Sequence, residues 1–203
     1  MPQLLNLTPA AWQLWCFATV ALTLVMALET DLLQNRIPNV LVLLALLAGL
    51  VLNEAGPANG REGMFSYFPG ALGGAQALLG ALVGLGLFLP LYLAGAMGAG
   101  DVKLLAALGA FAGPMEVVGV ALCIAASGGV LALAITLLRR KTGVVLANVI
   151  RIFDGLLHPG LPGPRFDPAT QTVLRMPYAL AFALGVAGYG YWRLSGYPAL
   201  SIF

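Results

Sequence analysis

Asp31 and Asp101 are the residues whose type and placement could do chemistry in this 203-residue chain. Asp31 follows the apolar run Ala10–Leu28, and Asp101 sits between Leu87–Ala96 and Val102–Phe111 in the string Gly98-Ala99-Gly100-Asp101. A carboxylate at membrane depth costs about 2.5–3.5 kcal/mol on insertion scales, so each marks a functional site by default. Two that meet at one membrane face form an aspartyl dyad. In such a pair one group is ionised and takes a proton from water, while the other is protonated and polarises a carbonyl. Like charges a few ångströms apart do not both ionise cheaply, so the pair holds one shared proton. That chemistry hydrolyses a peptide bond without a metal or organic cofactor, and none is expected.

The glycines beside Asp101 suit this reading. Gly98 and Gly100 permit unusual backbone angles and close approach, and they are expected to offer an edge on which an extended substrate could pair. Asp101 is expected to cap a helix starting at Val102, with the helix dipole and Lys103 favouring its ionised form. Asp101 is then the expected base and Asp31 the protonated partner. Taken singly, Asp31 reads equally well as an interfacial helix-end residue and Asp101 as a plain cap. Lys103 reads first as a side chain snorkelling to headgroups.

The elements that must position these groups are membrane spans. Hydrophobic residues make up 60% of the chain and charged residues 9%, with a mean hydropathy of +0.93. Soluble domains carry about 25% charged residues, too many for this chain to share their solvent. The fold class expected is all-α, one polytopic domain over 1–203 with about six transmembrane helices. They are Ala10–Leu28, Ile37–Leu52, Leu72–Ala96, Val102–Phe111, Met115–Leu138 and Met176–Tyr191. The fourth is short, ending at Gly113-Pro114, and is either a half-span or a helix that continues past the proline. The linker Asn53–Gly70, rich in Gly, Pro and Asn, reads as an exposed loop. Arg139–Arg175 reads as a polar loop in which Val144–Leu157 lies as an amphipathic helix on the membrane. Gly80-x-x-x-Gly84, with Gly73, Gly74 and Gly86, reads as close helix packing.

Charge sets the orientation. With the N-terminus outside, Arg36, Lys103, Arg139, Arg140, Lys141, Arg151, Arg165 and Arg175 fall on the cytoplasmic side, leaving only Arg61 and Arg193 outside. The same topology puts Asp31 and Asp101 at cytoplasmic helix ends. No basic n-region or small-x-small site marks the first run as a signal peptide. The net charge of +2 is too small to argue for nucleic acid. Cys16 and Cys123 each stand alone in an apolar run, so neither a paired-cysteine metal site nor a disulfide is expected.

Two stretches are similar to motifs of the type IV prepilin peptidases, a family of GxGD intramembrane aspartyl proteases. Asp31-Leu-Leu-Gln-Asn-Arg36-Ile37-Pro38-Asn39 resembles the family's first aspartate block, and Gly98-Ala-Gly100-Asp101-Val-Lys103-Leu104-Leu105 its GxGDxKL block. Met176-Pro177-Tyr178-Ala179-Leu180 resembles the Pro-Tyr/Phe-Ala opening of its last span. The resemblance implies cleavage of the basic leader of prepilins or pseudopilins at the cytoplasmic face of the inner membrane, with Asp31 and Asp101 catalytic. It implies supporting roles for Gly98, Gly100, Lys103, Pro38, Asn39 and Pro177. Partners are then the prepilin substrate and the bilayer. Larger members carry a further cytoplasmic domain, often with paired cysteines, and methylate the new N-terminus; this chain looks like the compact form of tight-adherence pilus systems or of archaeal preflagellin peptidases. A basic leader should prefer acidic docking groups, and Glu29, Asp154 and Asp167 are the candidates.

Two other function classes compete. Ala125-Ala126-Ser127-Gly128 looks superficially like a rhomboid serine, but the one histidine, His158, lies in the polar loop. Ser127 reads instead as a packing residue bonded to its own helix. A proton-coupled transporter or a catalytically inactive scaffold is the remaining alternative. Midplane polar groups and inverted repeats, which mark transporters, are not evident.

Overall fold

The structure, a computed structural model, describes residues 7–34, 36–57, 62–95, 97–138 and 178–200. Over these the protein is helical. The helices are α1 (Pro9–Gln34), α2 (Asn39–Ala55), α3 (Gly74–Leu93), α4 (Ala99–Leu138) and α5 (Tyr178–Leu194). Three of them, α1, α3 and α4, are long and apolar enough to cross a membrane, and α2 is a shorter apolar helix.

The buried residues of α1 form one stripe, Trp12, Cys16, Val20, Thr23, Leu24 and Ala27. Steps of three and four keep them on one face of the helix. Asp31 comes four residues after Ala27 and extends that inward face. Leu14, Trp15, Leu22 and Val25 on the other side are exposed and greasy, as a lipid-facing surface requires.

α4 is two helices joined without a loop. Gly113 takes φ 80° and ψ 172°, outside the helical region, where a Cβ would be strained; Pro114 then starts the second half with a fixed φ. The packing partners show that the chain reverses there. Residues 99–112 run antiparallel to α3, with Gly84 against Leu105 and Gly80 against Gly109. Residues 114–138 run antiparallel to α5, with Gly119 against Tyr189, Gly185 against Ile124 and Gly128 against Ala181. Phe88 of α3 meets Phe182 of α5 edge to face at 6.1 Å. The short fourth segment is therefore a separate buried helix, about 21 Å long at 1.5 Å per residue. Every residue from Asp101 to Gly113 is buried except Lys103.

A helix this short leaves its far end uncovered, and the segment after α2 fills the space. Met64 and Phe65 are 1% and 2% exposed and join the central core with Trp12, Phe111 and Tyr189. The expectation of an exposed linker over Asn53–Gly70 is thus corrected: among its described residues only Glu54, Glu62, Tyr67 and Phe68 are exposed. Buried Asn53 anchors it. Its amide donates to the carbonyls of Gly49 and Ala110, and its Oδ1 accepts from Leu72 N–H. Gln13 of α1 donates to the carbonyls of Met64 and Ser66. Glu54 accepts from Gly74 N–H at 2.8 Å and so caps the start of α3.

Gly80 and Gly84 provide close packing as expected, while Gly73 and Gly86 face open space and Gly74 meets only the Glu54 side chain. Residues 139–177, with the polar loop, His158, Asp154, Asp167 and Pro177, lie outside the described residues.

Candidate active site

Asp31 is in the last turn of α1 and Asp101 in the first turn of α4. The alternating directions of the helices bring both to the same end of the bundle. The Asp31 carboxylate lies near enough for its charge to act on Asp101. Asp101 is 8% exposed, whereas Asp31 is half-buried.

Each carboxylate is held by a backbone N–H at a helix start. Asp101 Oδ2 accepts from Gly98 N–H at 3.3 Å. Helix α4 begins at Ala99, three residues earlier than expected, so Asp101 is not the cap itself. It is the third helical residue, reaching back as the acidic arm of a capping box does. Asp31 Oδ2 accepts from Ala179 N–H at 3.3 Å, across 148 residues of sequence. That contact offsets a disadvantage, because the C-terminal turn of α1 carries partial negative charge whereas the start of α5 carries partial positive charge. Tyr178, the first residue of α5, stands within range of the Asp101 charge.

The two motif blocks also touch away from the acids. A Cβ on Gly100 would lie 3.2 Å from Ile37 Cβ, so a bare backbone lets the start of α4 sit against the Ile37-Pro38-Asn39 corner. Gly100 is thereby occupied, which corrects the idea that it offers a free edge; Gly98 remains exposed. Pro38, with φ −63° and ψ 132°, precedes α2 as its N-cap and makes no side-chain cap bond. Lys103 Nζ donates to Asn39 Oδ1 at 3.1 Å. Its ammonium thus joins the corner as well as facing solvent.

A family model described as the type IV leader peptidase family matches residues 17–137, more than half of the chain. The chain belongs to the type IV leader peptidase family. The resemblance drawn from Asp31–Asn39 and Gly98–Leu105 agrees with it, and both blocks lie inside the matched range. Neither a curated protein nor a solved structure matches the chain. Family and apolar helices together describe a membrane-embedded leader-peptidase-like protease.

Among the described residues of this peptidase, no three His, Cys, Asp or Glu side chains gather as a metal site would require. Ser127 donates to the Cys123 carbonyl at 2.8 Å, the self-bonded packing role expected of it. Glu29 is exposed, two residues before Asp31. Two features escaped the sequence reading. The Ala179 N–H is a backbone group and leaves no residue-type signal. The cluster of Glu116, Tyr189 and Arg193 at the opposite end was signalled only by an acid inside the run Met115–Leu138.

Proposed function

We propose that the chain is an intramembrane aspartyl endopeptidase that removes the basic leader from type IV prepilin-like precursors, using Asp31 and Asp101 as its catalytic pair. The observation that carries this reading is the convergence of the two acids, each steadied by a helix-start N–H. The ionised carboxylate takes a proton from water as the oxygen attacks the scissile carbonyl carbon. The protonated carboxyl gives its proton to the carbonyl oxygen. Collapse of the resulting gem-diol breaks the C–N bond: the carboxyl that took the water proton gives it to the leaving nitrogen, and the other carboxylate takes back a hydroxyl proton as the new carboxyl group forms. The pair ends with one proton, as it began.

The orientation proposed is N-terminus outside, with the site at the cytoplasmic face of the inner membrane. Arg36 and Lys103 share the end that holds the acids, and the positive-inside rule favours that end as cytoplasmic. The start of α1, the segment between α2 and α3, the reversal at Gly113 and the Arg193 end of α5 are then at the outer end.

The test is co-expression with a prepilin, following loss of the leader. Asp31→Asn and Asp101→Asn each abolish processing while the protein still inserts. Substantial cleavage by either variant removes the dyad. Proton-coupled transport without proteolysis would favour a transporter instead.

A further inference from the structure

Glu116 has no part in the hydrolysis described above, yet among the described residues it is the most heavily bonded acid. It lies just beyond the reversal at Gly113, at the end of the bundle away from Asp31 and Asp101. Arg193 Nε donates to its two oxygens at 3.0 and 3.1 Å, and Arg193 Nη2 donates at 2.6 Å. The fully buried Tyr189 hydroxyl donates to it as well. Arg193 Nη1 continues to the Tyr197 carbonyl at 2.9 Å. Tyr189 and Arg193 are one helical turn apart and so share a face of α5.

Adhesion alone explains such a cluster poorly. Well-packed apolar side chains in place of a buried ion pair are often neutral or stabilising. What a guanidinium fork on a carboxylate supplies is a fixed geometry. Elsewhere the α4–α5 contact is steric: Gly185 on Ile124 and Ala181 on Gly128 permit close approach but make no directional bond. At its other end α5 presents Ala179 N–H to Asp31 at 3.3 Å. A displacement of one residue rise, about 1.5 Å, would take that N–H out of hydrogen-bond range. Ala179 and Arg193 are the two ends of one rod about 21 Å long.

We propose that Glu116, Tyr189 and Arg193 are positioning residues, a clamp that sets the axial register of α5 and so keeps the Ala179 N–H on Asp31. This rests on the reading of Asp31 as a catalytic acid. The three do not touch substrate; they act through the helix.

The test uses the purified full chain in detergent with a leader-bearing pilin peptide. It measures kcat, KM, the pH–rate profile and the folded fraction. The double variant Glu116→Met with Arg193→Met removes the fork but keeps an apolar contact. Its kcat falls about tenfold to 100-fold, the scale of an ångström-sized misplacement. KM stays within about twofold and the profile is displaced. Arg193→Lys, which keeps the charge but not the fork, and Tyr189→Phe lose less and carry the test if the double variant does not fold. A wild-type kcat and profile in folded clamp variants, with Asp31→Asn inactive, overturns the clamp alone. Losses that merely track the folded fraction, with an unmoved profile, overturn it too. Wild-type cleavage by Asp31→Asn overturns the catalytic reading beneath it.

Discussion

Lys103 Nζ lies 3.1 Å from Asn39 Oδ1, joining stretches 64 residues apart in the chain. The bond ties the corner between α1 and α2 to the helix that carries Asp101. Asn39→Ala and Lys103→Met are each expected to lower leader cleavage severalfold with little change in thermal stability, because the bond is exposed. Steady-state kinetics beside a melting curve check this. Equal losses of rate and stability would mean that the bond only holds the fold together.

Gly100 fixes the same corner sterically. With Ile37 Cβ 3.2 Å from the site of an added methyl, Gly100→Ala should push the corner outward by a few tenths of an ångström and reduce cleavage. Gly100→Val should nearly abolish it. Replacing Ile37 by Gly in the Gly100→Ala background, which removes the Cβ that the new methyl meets, should restore activity. Failure of that rescue would show that the glycine serves some end other than this contact.

Gly80 and Gly86 make a matched pair on α3. A Cβ at Gly80 would strike the Gly109 carbonyl and lie 2.7 Å from the Gly113 backbone, whereas at Gly86 it meets nothing within 4 Å. Gly80→Ala should destabilise by about 1–3 kcal/mol through overpacking. Gly86→Ala should be neutral or slightly stabilising, since alanine favours helix by about 1 kcal/mol. Unfolding in detergent separates the two.

Asn53→Leu removes a buried amide that serves α2, α4 and the returning segment together. The expected loss is about 1–3 kcal/mol for the Leu72 N–H or Ala110 carbonyl left without a partner. Asn53→Asp, which keeps the acceptor but not the donor, should also destabilise. Both are read from the melting temperature, and leader cleavage per folded molecule should be unchanged.

Much of the site was legible because parity is a strong constraint. Once the apolar runs were bounded, an even number of crossings between Asp31 and Asp101 put both acids at one end, and the structure agrees. The end of the fourth run at Gly113-Pro114 was legible, but not whether it was a half-span or a helix continuing past the proline, which the non-helical angles at Gly113 decide. The returning segment was not. Gly, Pro and Asn look alike whether a stretch lies in water or plugs a core, and Met64-Phe65 was the unread signal. The start of α4 was set late because a Gly-rich string hides its first turn. The tie between Glu116 and Arg193 spans 77 residues, and no periodicity links them. A rule that reads only the sign and side of a charge assigned Arg193 to the outside and asked nothing further of it.

The reversal at Gly113 leaves the two acids on unequal footings. Asp101 stands at the foot of a post that protein encloses from there to Gly113 except at Lys103, and such close packing resists displacement. Asp31 ends a helix that shows one whole flank to lipid. If a substrate draws the two acids together, α1 is the element expected to move, with Asp101 as the stationary reference.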